Sequence, residues 1–84
     1  DLKPVNRKLI ERSKRLIRQA TGCSHEEAAA AFESSGRRPK TAIIMVLLKV
    51  GAGEALRLET EGGGRIADAV ALFARTGRGA PGQA

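Results

Sequence analysis

Ala42-Ile43-Ile44-Met45-Val46-Leu47-Leu48 is an unbroken run of seven apolar residues, and it limits the possible folds more than any other stretch. A surface helix carries an apolar stripe on one side, so a helix apolar on every side must be enclosed on every side. The run is far short of the ~20 residues that cross a bilayer. Ile, Ile and Val also suit a buried strand. No second strand-like run offers itself as a partner, however, and a lone strand is not stable. Pro39 fits the first turn of a helix, where its missing N–H is not needed, and Gly51 fits the stop. Residues 39–50 therefore read as the central helix of an all-α domain, with the other helices laid around it.

Eighty-four residues support one domain with one core and no deep cleft. Phe32 and Phe73 are the only aromatics, so the core must be aliphatic and base-stacking platforms are absent. A single Cys excludes an internal disulfide and, with a single His, a conventional zinc site; neither metal nor cofactor is expected. No signal peptide or membrane span is recognisable, which makes a cytoplasmic setting the default. The start at Asp1 without Met suggests a piece of a longer protein.

In chain order, Pro4 can open a first helix. At about 100° per residue, Leu16, Leu9, Ala20, Ser13, Ile17 and Ile10 share an arc of roughly 120°, predicted to face inward. Arg7, Lys8, Lys14, Arg15 and Arg18 occupy the rest, with Glu11 among them and Arg12 near the boundary. Gly22 suits the left-handed position that ends a helix. Ser24 and Glu27 form a capping box for a second helix over about 25–35, presenting Ala28, Ala31 and Phe32 inward. After the central helix come a fourth over about 53–61, with Ala55 and Leu58 inward, and a fifth over about 65–75, with Ile66, Ala69, Val70 and Phe73 inward. Residues 1–75 thus form one helical domain, and 76–84, lacking any apolar period, read as a disordered tail.

A shift of 27 residues pairs Glu27-Ala28 with Glu54-Ala55, Ala31 with Leu58, Gly36 with Gly63, and Ala42-Ile43 with Ala69-Val70. Shared helix–glycine–helix punctuation can produce such an echo, and so can two helix pairs built to one plan; the second reading has both pairs leaning on the central helix.

Candidate chemistry is sparse. Cys23 and His25 lie at a helix start, but a nucleophile needs an oriented base, a third group and a pocket. Cys23 reads as a small apolar plug and His25 as a solvated first-turn residue. Glu26, Glu27 and Glu54 suit the positive ends of helices, which accounts for them without acid–base work. Gly62-Gly63-Gly64 lacks the Lys-Ser/Thr of a phosphate loop and follows no strand, so it reads as a link between helices. Residues 1–20 carry seven basic and two acidic side chains, so any anionic partner should meet the first helix first. Arg7, Lys14, Arg15 and Arg18 are the candidate interaction face. A helix-turn-helix reader would need a polar recognition helix, and the helices after the turn are Glu/Ala-rich and then apolar.

With helix, Thr21-Gly22-Cys23-Ser24 turn, alanine-rich helix, glycine and apolar helix in place, residues 21–48 resemble the three-helix fold of ubiquitin-associated (UBA-like) domains. The fold class is then an all-α bundle of about five short helices, with a UBA-like core over about 8–50 and two further helices. Asp1-Leu2-Lys3-Pro4-x-Asn6-x-Lys8-Leu9-x-x-Arg12 narrows the resemblance, together with Ala20-Thr21-Gly22-Cys23-Ser24, Glu27-Ala28 and Lys40-Thr41-Ala42-Ile43. These stretches, with Gly51-x-x-Glu54-Ala55 and Gly62-Gly63, resemble the C-terminal region of the bacterial N-acetylmuramic acid 6-phosphate etherase family over about residues 1–74. Glucokinase regulatory protein is a distant relative of that family. Two departures stand out: Ser35-Gly36-Arg37-Arg38-Pro39 replaces a Gly-Gly-Asn type turn, and the chain ends in an extra Gly/Ala/Pro tail.

The resemblance implies a parent lyase whose sugar-isomerase (SIS) domain cleaves the lactyl ether of the phosphosugar in cell-wall muropeptide recycling. None of that domain is present, so these residues carry no catalytic role. The implied role is an accessory domain packed on the SIS domain or on a homodimer mate, with Lys3, Asn6 and Lys8 as candidates for proximity to substrate. The alternatives are a free-standing UBA-like interaction module and a weak basic nucleic-acid binder. Ubiquitin is not expected to bind, because the Thr21–Ser24 turn is smaller and more polar than the loop of ubiquitin-binding relatives.

The charge distribution sets a first measurement. Duplex DNA is expected to bind only weakly and without sequence preference through Arg7, Lys14, Arg15 and Arg18, and to lose about 50-fold or more in affinity between about 50 and 200 mM salt, as release of three or four counterions requires. Submicromolar, sequence-selective binding at physiological salt would instead promote the nucleic-acid reading.

Overall fold

Five helices run in the order α1 Pro4–Thr21, α2 His25–Ser34, α3 Pro39–Leu48, α4 Ala52–Glu61 and α5 Ile66–Thr76. The computed structural model describes residues 4–76, and among these there is no strand. The all-α expectation therefore holds, and each helix falls where the sequence places it to within a residue or two. Of the stretch expected to be disordered, Thr76 closes α5 and 77–84 lie outside the described residues.

The local signals act as their chemistry requires. The Ser24 hydroxyl accepts from the Glu27 N–H at 3.0 Å, and the Glu27 carboxylate accepts from the Ser24 N–H at 3.1 Å, completing the capping box. Pro39 opens α3 at its first turn. Gly22, at φ +76°, ends α1 with its N–H on the Arg18 carbonyl. One stop differs from expectation. Lys49, not Gly51, ends α3 in the left-handed conformation at φ +57°, while Gly51 is extended and serves as the N-cap of α4.

α3 touches all four other helices. On one side Ala42 and Ile43 join Ile17 of α1 and Ala28, Ala31 and Phe32 of α2. On the other, Ile44 joins Ala55 and Leu58 of α4 and Ala69 of α5. Ile66 lies against both clusters and links them. The alanines let neighbouring backbones approach closely, so a ten-residue helix reaches four partners.

Burial departs from the sequence expectation in two places. In α1, Ile17 is fully buried and Ile10 and Ser13 half-buried, but Leu9, Leu16 and Ala20 point outward. The apolar arc of α1 is wider than the side that α2 and α3 cover. In α3, residues Thr41–Ile44 are buried all round, whereas Leu47 is 42% exposed because the last turn runs past the neighbours that enclose the first.

The 27-residue echo is structural. Ser35, Gly36 and Arg37 donate their N–H groups to the carbonyls of Ala31, Glu33 and Phe32; Gly62, Gly63 and Gly64 donate to those of Leu58, Thr60 and Glu59, each position shifted by 27. The φ angles agree as well, +77° and +65° at Gly36 and Arg37 against +73° and +84° at Gly63 and Gly64. Ile17 and Ile44 correspond and are both fully buried, as are Ala28 with Ala55 and Ala42 with Ala69. The chain is thus two overlapping three-helix units, α1–α2–α3 and α3–α4–α5, in which α3 is the third helix of one and the first of the other.

Ile44→Ala is expected to cost about 2–5 kcal/mol in denaturant unfolding, the range for a buried aliphatic truncation, and Leu47→Ala less than about 1 kcal/mol. Equal losses at the two positions would contradict the one-sided enclosure of the last turn. At Gly62 an added Cβ would lie 2.9 Å from the Ala69 backbone nitrogen, whereas at Gly53 it meets nothing within 4 Å. Gly62→Ala should therefore destabilise by about 1–3 kcal/mol, and Gly53→Ala should stabilise by up to about 1 kcal/mol.

Candidate functional site

α1 is the most strongly charged element. Arg7, Lys8, Arg12, Arg15 and Arg18 are exposed along it. Lys14 is the exception, half-buried and 4.0 Å from the Glu11 carboxylate. The Arg18 guanidinium reaches the Cys23 carbonyl at 3.5 Å, which ties it toward the turn. Of the substrate-proximal candidates, Lys8 is exposed, Asn6 falls in the first turn of α1, and Lys3 lies outside the described residues. Arg7, Lys8, Arg12 and Arg15, with Glu11, border a shallow depression of about 350 Å³. Beside this basic strip run Leu9 and Leu16, 52% and 47% exposed.

The turn between α1 and α2 is held from inside. The Thr21 hydroxyl donates to the Ile17 carbonyl at 2.7 Å and accepts from the Cys23 N–H at 3.2 Å. Cys23 then packs against the first cluster, as its reading as an apolar plug requires, while His25 is exposed. Helical periodicity does not anticipate a groove of about 640 Å³ beside this turn, lined by Ala30, Ala31, Met45, Val46 and Val50 together with Glu27 and Lys49. It arises because the last turn of α3 outruns its cover, which a linear pattern does not encode.

Six carboxylates are occupied structurally. Glu27 caps α2, Glu33 pairs with Arg37, and Glu59 accepts from the buried Thr41 hydroxyl. Arg57 donates to Glu54 at 2.6 Å and to Glu61 at 3.0 Å, and these carboxylates, Glu54 foremost, raise its pKa above the ordinary arginine value. No group of three or more His, Cys, Asp or Glu side chains is placed to hold a metal ion among the described residues. Nor is any described helix long and apolar enough to cross a membrane. Among the described residues the arrangement offers a basic strip, an apolar strip beside it and an apolar groove.

No protein-family model matches the chain, and no solved structure does. Among curated proteins it is similar to N-acetylmuramic acid 6-phosphate etherases. With that of Bacillus cereus strain AH187 it is 49% identical over 70 residues, 83% of this chain. With those of Bacillus cereus strain G9842 and Bacillus anthracis strain CDC 684 it is 54% identical over 56 residues, 67% of this chain. The matched stretches span only 19% to 24% of those relatives' lengths. At such identity the chain is homologous to a segment of these etherases, about a quarter of their length.

Proposed function

We propose that these 84 residues form a non-catalytic accessory domain of an enzyme of the N-acetylmuramic acid 6-phosphate etherase type. The observation that carries this is the pairing of about half-identity with a length near one quarter of those relatives. The helical bundle adds a physical reason for placing the chemistry elsewhere. Ether cleavage needs a positioned acid and base around a bound phosphosugar, and here six carboxylates are engaged in caps, ion pairs or a buried hydroxyl contact. In this reading the domain follows an SIS catalytic domain, as the C-terminal part of the chain, and packs on it or on a dimer mate. Its first three helices take the UBA-like role without binding ubiquitin, and the setting is cytoplasmic.

Lys8 and Asn6 sit where α1 would leave the catalytic domain. Lys8 is a mobile point charge suited to a phosphate, and Asn6 can donate to and accept from sugar hydroxyls. The 84-residue chain alone should release no D-lactate from N-acetylmuramic acid 6-phosphate; measurable release would overturn the reading. In the complete enzyme, Lys8→Ala is expected to lower kcat/KM about tenfold or more, ~1.4 kcal/mol of lost stabilisation, with the melting temperature unchanged. Near-normal kinetics in the folded fraction for both Asn6→Ala and Lys8→Ala would remove any contribution of this domain to the active site.

A further inference from the structure

The 27-residue repeat shows what the groove beside the α1–α2 turn lacks. The second unit holds larger side chains at the matching positions: Arg57 for Ala30, Leu58 for Ala31 and Phe73 for Val46. Leu58 and Phe73 pack in the second cluster, and Arg57 donates to Glu54 at 2.6 Å. Glu27 occupies the position of Glu54, but α2 contains no arginine to meet it. The second unit thus displays two things missing from the first: a large apolar side chain over the core, and a guanidinium beside a carboxylate.

α1 carries both on its outward side. Its half-exposed Leu9 and Leu16 are seven residues, or about 10.5 Å, apart, the i, i+7 spacing with which an amphipathic helix enters a groove. At about 100° per residue, Arg12, Lys8 and Arg15 all fall on one side of the leucine line. The groove has a matching asymmetry. Its α2 wall carries exposed Ala30, small enough for a helix to come close, and Glu26, Glu27 and Glu33 lie within about 60° of Ala30 around α2. Lys49 stands on the α3 side.

We infer that α1 of a second copy of this chain docks in the groove, with Leu9 and Leu16 over Ala30, Met45 and Val46, and with Lys8, Arg12 and Arg15 turned toward the glutamates of α2. The second copy supplies from outside the kinds of side chain that Phe73 and Arg57 supply within the second unit. Each chain carries a net charge of +6, which opposes association at long range. At physiological ionic strength exposed charges more than about 8 Å apart are largely screened, so the pairing of basic α1 with acidic α2 decides the balance at contact. Both surfaces lie on this chain, so the inference stands apart from the accessory-domain reading.

Sedimentation equilibrium of the 84-residue chain tests this. At physiological ionic strength the weight-average mass should climb from 8.9 kDa toward twice that value as the concentration rises to about 1 mM. Leu9→Ser with Leu16→Ser removes the strip, and Ala30→Arg fills the groove as position 57 is filled in the second unit. Each should weaken association about tenfold or more and leave the melting temperature nearly unchanged. Mixed together, the two variants should associate more tightly than either alone, because one keeps a groove and the other a strip. Arg12→Glu should weaken the contact as well, and Glu26→Arg added in the same chain should recover it. Both of these positions are exposed, so this arm decides the matter if a leucine or groove variant folds poorly. A mass fixed at 8.9 kDa up to about 1 mM would overturn the inference. So would association that the leucine substitutions leave intact. Loss on the leucine substitutions alone, with Ala30→Arg harmless and no gain on mixing, would set leucine against leucine and overturn the groove.

Discussion

A ten-residue helix with no polar side has no stable exposed orientation in water, and α3 is such a helix. Enclosing it takes more surface than one helix pair presents. Two pairs share the task, one seated on Ala42 and Ile43 and the other on Ile44. The only polar side chain buried in α3 is Thr41, and its hydroxyl is satisfied by Glu59 of α4, which avoids the cost of an unpaired buried donor. Lys40 adds a second tie, donating to the Gly64 carbonyl at 3.0 Å. The second pair is therefore fixed to α3 by hydrogen bonds as well as by burial, and its order depends on the helix it helps to cover.

The two pairs reach the same turn by different chemistry. At Ser35 the hydroxyl donates to the Phe32 carbonyl at 2.8 Å and accepts from the Arg38 N–H at 3.0 Å, so a side chain joins one helix end to the next start. At the equivalent Gly62 there is no room for a side chain, because the start of α5 lies directly against the position. Both turns then use two successive residues at positive φ. The second spends glycines on them, whereas the first places Arg37 there at a steric cost. Equal hydrogen-bond patterns from unequal residues explain why the sequence echo is faint while the structural repeat is plain.

That contrast marks what could be read from residues alone. Helix starts and stops were legible because caps and prolines act within four residues: Ser24 with Glu27, Pro39, Gly22. The central helix was legible because an apolar run admits few fates. The inward side of α1 was not. Helical periodicity defines an apolar arc, but which part of a wide arc meets the core is decided by partners that periodicity does not contain; Leu9, Leu16 and Ala20 fell on the uncovered part. Leu47 failed for the same reason at the far end of α3. The groove beside the α1–α2 turn depends on where that helix outruns its neighbours, a relation among three segments that no single stretch encodes.

The packing solution also restricts the chemistry open to the chain. Helices that meet over alanines at Ala28, Ala31, Ala42, Ala55 and Ala69 come close and leave little volume between them. A catalytic carboxylate needs a cleft that shifts its proton affinity and holds a substrate beside it. Here Glu59 holds α4 to α3 through Thr41, while Glu27 caps α2 and Glu54 and Glu61 pair with Arg57 within α4, so these carboxylates are already engaged in the scaffold. Among the described residues, the outward side of α1 instead sets the half-exposed Leu9 and Leu16 beside exposed Arg12 and Arg15.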